Sequence, residues 1–112
     1  MSSIPYTVEQ VISFCRDRKY DIKIVARRDR KNQEFRESVG MTYEEEQEEI
    51  RNLRKEFCIK GPFLDNDYPN NYLYEFHKEV RGKWCYIKLT IVDKLVLVNV
   101  ISFHENEGTK YE

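Results

Sequence analysis

Residues 84–92, WCYIKLTIV, followed by residues 95–103, LVLVNVISF, decide how this chain is read. In the first stretch Cys85, Ile87, Leu89 and Ile91 alternate with Trp84, Tyr86, Lys88 and Thr90, the period of a strand with one buried face. The second is almost continuously apolar, which predicts an interior strand covered on both faces. Between them Asp93-Lys94 reads as a tight hairpin. Upstream, residues 72–79, YLYEFHKE, give another strand, and Val80-Arg81-Gly82-Lys83 turns the chain into the next. Three strands joined by short turns form a meander.

Further upstream the period changes from two to that of a helix. Thr7 and Gln10 fit a capping box, and Val8, Val11, Ile12 and Cys15 continue it as a helix to about Arg18. Tyr20, Ile22, Ile24 and Ala26 alternate with Asp21, Lys23 and Val25 as a short strand. Residues 29–39 read as a short helix with Phe35 and Val39 inward, stopped by Gly40. Thr42 and Glu45 make a second capping box. Glu44, Glu45 and Glu46 then suit the positive end of a helix dipole, and Arg54 and Lys55 its negative end. Tyr43, Ile50, Leu53 and Phe57 mark that helix's buried stripe, which Gly61-Pro62 ends. Residues 63–71 are a loop rich in Asp, Asn and Pro. Helices first and a meander afterwards predict an α+β fold, with N-terminal helices on a small antiparallel sheet.

The chain has 112 residues, which makes residues 1–112 one domain. Eight Tyr and six Phe exclude a disordered chain. No apolar run reaches the roughly 20 residues of a membrane helix, and the N-terminus lacks a charged, apolar leader; both point to the cytoplasm and away from a membrane. Cys15, Cys58 and Cys85 are far apart with no CxxC spacing, so reduced, mostly buried thiols are expected. With only His77 and His104 beside them, no metal site is expected, and no sequence feature calls for a small-molecule cofactor.

The charges nearly cancel, 19 basic against 20 acidic, which excludes nucleic-acid binding by bulk charge alone. They are unevenly spread. Residues 16–31, RDRKYDIKIVARRDRK, hold eight basic and three acidic groups, and form the stretch where a phosphate backbone can dock, with Arg27 and Arg28 as the candidate contacts. Such runs are most often solvated surface. No helix carries a basic recognition face, so a DNA-binding repressor fits poorly.

Taken singly, Lys60, Glu75, Tyr86 and His104 have ordinary explanations: a cation at a helix C-terminus, a surface strand carboxylate, strand packing and a bystander histidine. Together, projecting toward one end of a sheet, they supply a cation, a carboxylate, a phenol and an imidazole. Metal-free RNA cleavage needs those parts: a base for the 2′-hydroxyl proton, an acid for the leaving 5′-oxygen, and positive charge at the phosphoryl group.

The segment from Phe57 to Glu107 resembles the second half of MqsR-type toxins of bacterial type II toxin–antitoxin systems. The resemblance rests on Lys60-Gly61-Pro62, the Glu75-Phe76 step, Tyr86-Ile87-Lys88-Leu89 and Ser102-Phe103-His104-Glu105. It implies a RelE-like fold, metal-independent mRNA cleavage and a cognate antitoxin protein as partner. It maps the active-site lysine to Lys60, the strand tyrosine to Tyr86, the basic residue after Ser-Phe to His104 and the polar strand residue to Glu75. Arg27 and Arg28 of the basic stretch, with Lys88, are the residues expected to contact RNA. Such toxins are commonly basic, whereas this chain stands at −1. His77 stands where many relatives have glycine. The rival reading is a non-catalytic α+β module that binds a protein partner.

Overall fold

In a computed structural model, which describes residues 5–92 and 96–106, three helices lie against one face of a five-stranded mixed sheet. The chain runs α1 (Val8–Arg16), β1 (Ile22–Ile24), α2 (Lys31–Ser38), α3 (Tyr43–Arg51), a 3-10 turn (Lys55–Phe57), β2 (Cys58–Leu64), β3 (Tyr72–Val80), β4 (Lys83–Val92) and β5 (Leu97–Glu105). The spatial order is β1-β5-β4-β3-β2.

Both capping boxes form. The Thr7 hydroxyl accepts from the Gln10 amide while the Gln10 side chain accepts from Thr7 N–H, and Thr42 and Glu45 repeat the arrangement at α3. Each box satisfies two amides that a helix start leaves open. α2 begins without such a cap, on Arg30 in the left-handed region, and ends just before Gly40 at φ +67°.

The core lies between the helices and one sheet face. Val11, Ile12 and Cys15 of α1, Phe35 of α2, Ile50 of α3 and Leu53 beyond it pack with Phe76 of β3, Cys85, Ile87 and Leu89 of β4, and Val98, Val100 and Phe103 of β5. Fully burying such a side chain contributes about 1.5–3 kcal/mol. The alternation expected over 84–92 is present, with Cys85, Ile87, Leu89 and Ile91 all buried. All three cysteines are free thiols; burial pushes Cys15 and Cys85 up to about 12, so both sit protonated in the core.

The sheet departs from expectation in four places. β1 runs parallel to β5, pairing Ile22, Lys23 and Ile24 with Val98, Asn99 and Val100, so the sheet is mixed rather than antiparallel. α3 ends at Arg51, and Gly61-Pro62 lies inside β2 instead of closing a helix. Glycine is required there: at φ +132° a Cβ on Gly61 would stand 2.8 Å from the Leu73 carbonyl oxygen and 2.9 Å from Tyr74 Cα. Lys60 is therefore a strand residue, not a helix-end cation. Third, β5 is interior to the sheet but alternates between buried and half-buried positions, so only one of its faces meets the helical layer. It also runs one residue past His104, because Cys85 keeps Glu105 as its pairing partner. Fourth, the acidic run of α3 is not wholly surface: Glu46 is buried against Arg36, 2.6 Å away. The hairpin expected at Asp93-Lys94 lies outside the described residues.

A shift in register between Lys88 and Leu89 leaves Ile101 as an extra residue in β5. Buried Asn32 of α2 fits this bulge. Its Nδ2 donates to the carbonyls of Val25 (2.9 Å) and Ile101 (3.0 Å), and its Oδ1 accepts from Phe103 N–H (2.9 Å). One side chain thus takes the place of a strand neighbour beyond the end of short β1. The bulge returns Phe103 to the core and turns Ser102 and His104 to the opposite face.

Candidate functional site

The sheet face away from the helices carries the chemistry. The pairing register arranges it in rows. Lys60, Glu75, Lys88 and Ser102 form one row across β2, β3, β4 and β5. His77, Tyr86 and His104 form the next across β3, β4 and β5, and Glu79 and Trp84 the row after that. Residues at strand positions two apart share a face, so this grouping follows from the alternation that buries the core.

Tyr86 links these groups. The Tyr86 hydroxyl donates to Glu75 Oε2 at 2.6 Å, a diagonal contact between neighbouring rows. The short distance is that of a phenol bonded to a carboxylate. Tyr86 also lies between two imidazoles, with ring centroids 6.0 Å from His77 and 5.9 Å from His104. Burial lowers the His77 pKa below the usual histidine value, against the pull of nearby Glu75, which keeps this ring neutral near pH 7.

Arg27 enters from the segment after β1. Its Nη1 lies 3.0 Å from Ser102 Oγ and 3.0 Å from His104 Nε2, and its Nη2 is 2.8 Å from Asp29 Oδ2. A guanidinium only donates. His104 Nε2 is therefore the acceptor, and the 3.0 Å contact of Nδ1 with the Glu105 carbonyl is an N–H donation. Both contacts are satisfied by one neutral tautomer, protonated at Nδ1. The basic lone pair of His104 is spent on holding Arg27.

The residues named from sequence are brought together to different degrees. Glu75, Tyr86 and His104 share the open face in adjacent rows. Lys60 pairs with Glu75 at the β2 margin, but its ammonium lies over the Phe63 ring, 4.2 Å from the centroid. Lys88 stands between Glu75 and Ser102 in register. Arg27 reaches the centre, whereas Arg28 stays exposed beside a shallow hollow of about 330 Å³ that Arg27 and Asp29 complete.

Sequence reasoning missed Ser102 as a partner of Arg27 and Asn32 as the support of this end of β5. Ser102 is one of the residues that carry the family resemblance, yet its partner lies 75 residues away in sequence. Asn32 offered one signal: a poor helix former sits in the first turn of a short helix with few apolar residues.

Chemically, the face offers a hydrogen-bonded carboxylate and phenol next to a fixed guanidinium, with Lys88 in the middle of the sheet and Lys60 at its β2 margin. It can move a proton and hold an anion. No family model matches the chain, and no curated protein matches it in sequence.

Proposed function

We propose that this protein is a metal-independent endoribonuclease that cleaves mRNA, and that it is the toxin of a type II toxin–antitoxin pair with a RelE-like arrangement of its sheet and helices. The observation that carries the reading is the 2.6 Å Tyr86–Glu75 hydrogen bond on the same open face as Arg27. In the proposed reaction the Glu75 carboxylate takes the proton of a substrate 2′-hydroxyl. The 2′-oxygen attacks the adjacent phosphorus, the bond to the 5′-oxygen breaks, and Tyr86 gives that oxygen its proton. The products are a 2′,3′-cyclic phosphate and a 5′-hydroxyl. Proton return from Glu75 to Tyr86 along their hydrogen bond resets the pair. Arg27, with Lys60 and Lys88, supplies positive charge for the phosphoryl oxygens, and Arg28 extends that charge along the backbone.

Glu75 is preferred to His104 as the base because the His104 lone pair is already accepting from Arg27. His104 then serves by aiming the guanidinium. A cytoplasmic location and an antitoxin that covers the open face belong to the same proposal.

A second reading, a non-catalytic module that binds a protein, draws on the net charge of −1 and on the Arg27–Asp29 ion pair, which ties up part of the central cation. Purified protein with single-stranded RNA in excess EDTA separates them. Cleavage leaving cyclic-phosphate ends, reduced about 100-fold or more in Tyr86→Phe and Glu75→Gln without a change in melting, supports the nuclease. No cleavage by wild type, or cleavage indifferent to both substitutions, rejects it.

A further inference from the structure

Trp84, the single tryptophan, is half exposed on the open face, at 48%. Its neighbour Cys85 is fully buried in the core, so strand alternation fixes the indole outward. His77 meets it edge to face, centroids 5.6 Å apart. Along β4 it stands two residues from Tyr86, roughly 6.6 Å on the same face. Across the strand pair its partner is exposed Glu79.

The indole packs edge to face on buried His77, yet leaves about half of its own surface open on the side away from the core. The charges two rows away on the same face say what covers it. Arg27, Lys60 and Lys88 give the face a cationic centre suited to a polyanion, and an aromatic ring beside a cationic track is how sheet surfaces hold single-stranded nucleic acid. We infer that Trp84 is the stacking platform for a nucleobase of single-stranded RNA next to the scissile phosphate, with Glu79 accepting a hydrogen bond from that base's exocyclic amine. This rests on the RNA reading of the neighbouring residues and adds a base-binding subsite to it. Glu79 biases the subsite, because a carboxylate accepts from the exocyclic amines of adenine, cytosine or guanine, whereas uracil has no such amine and offers only an N3–H flanked by two repelling carbonyl oxygens.

Because the tryptophan is unique, its own fluorescence reports the subsite. Short oligonucleotides lacking the 2′-hydroxyl bind without being cut. Oligo(dA) and oligo(dC) are expected to quench the emission, and oligo(dU) to bind roughly tenfold more weakly. Anisotropy of a labelled oligo(dA) should show Trp84→Ala weakening binding roughly tenfold, Trp84→Phe restoring most of it, and Glu79→Gln narrowing the gap between dA and dU. Binding without quenching, at equal affinity in wild type and Trp84→Ala, overturns the platform. If RNA cleavage by the same preparation persists in that case, the nuclease reading stands while the subsite falls. If cleavage and binding are both absent and a protein partner covers Trp84 instead, both fall.

Discussion

Arg27 and His104 meet at 3.0 Å, guanidinium N–H to imidazole lone pair, although 77 residues separate them in sequence. The contact assigns the roles: the arginine donates, the histidine accepts, and the imidazole serves to aim the guanidinium. Arg27→Ala should lower RNA cleavage about 100-fold, the scale for losing one preorganised donor. His104→Ala should lower it roughly tenfold, since Ser102 and Asp29 still hold the guanidinium. The double variant should match Arg27→Ala alone. Multiplying losses in initial-rate measurements would mean that His104 acts on the substrate itself.

The buried Glu46 carboxyl gives stability a pH dependence of definite sign. Burial pushes it from 4.5 up to about 7, outweighing the opposing pull of Arg36. A raised carboxyl contributes no penalty below its unfolded value, and stability is lost as pH climbs from about 4.5 through 7. The carboxyls of Asp29, Glu45, Glu48 and Glu56 are lowered by backbone amides or by Arg18, so their contributions fade only in acid, on the other side of that window. Buried His77, its pKa lowered, acts in the opposite direction as pH rises through its range, so the fall that Glu46 adds to the urea midpoint between pH 5 and pH 8 is read by comparison with Glu46→Gln. In Glu46→Gln the fall should flatten, with a gain at pH 8 of order 1–3 kcal/mol and convergence with wild type near pH 5. Parallel profiles for the two proteins would show that Arg36 keeps the carboxylate charged throughout.

Asn32 joins the fold to the site. Replacing it with Ala leaves the Phe103 N–H and the Ile101 and Val25 carbonyls without their partner in a buried place. The expected loss is about 3–5 kcal/mol in chemical denaturation, with a larger drop in cleavage than the unfolded fraction accounts for, because the bulge also aims Ser102 and His104. A loss below about 1 kcal/mol would mean that the bulge holds without it.

What could be read from sequence was what is local. Both capping boxes, the Phe35 contact and the alternation across 84–92 depend on neighbours within a few positions, and each appears where its spacing placed it. Gly61-Pro62 misled because the same pair that stops a helix also suits a kinked strand; only the approach of the Tyr74 backbone decides between them. Glu46 was indistinguishable from Glu44 and Glu45, since all three suit a helix start, and Arg36 lies on another helix. Glu75 and Tyr86 could be placed on one face by counting along their strands. The Arg27, Ser102 and His104 cluster could not, because it depends on β1 joining β5 in parallel and on a bulge that no composition announces.

The two outer strands also govern how the molecule behaves in a crowd. An open sheet margin is a row of unsatisfied amides and carbonyls that invites another chain to add itself. At one margin β2 is interrupted twice in its register, and Pro62 has no N–H to offer an incoming strand. At the other, β1 is only three residues long and carries Lys23 at its centre. The same kink that lets Gly61 press against Tyr74 therefore makes β2 a poor template for an incoming strand.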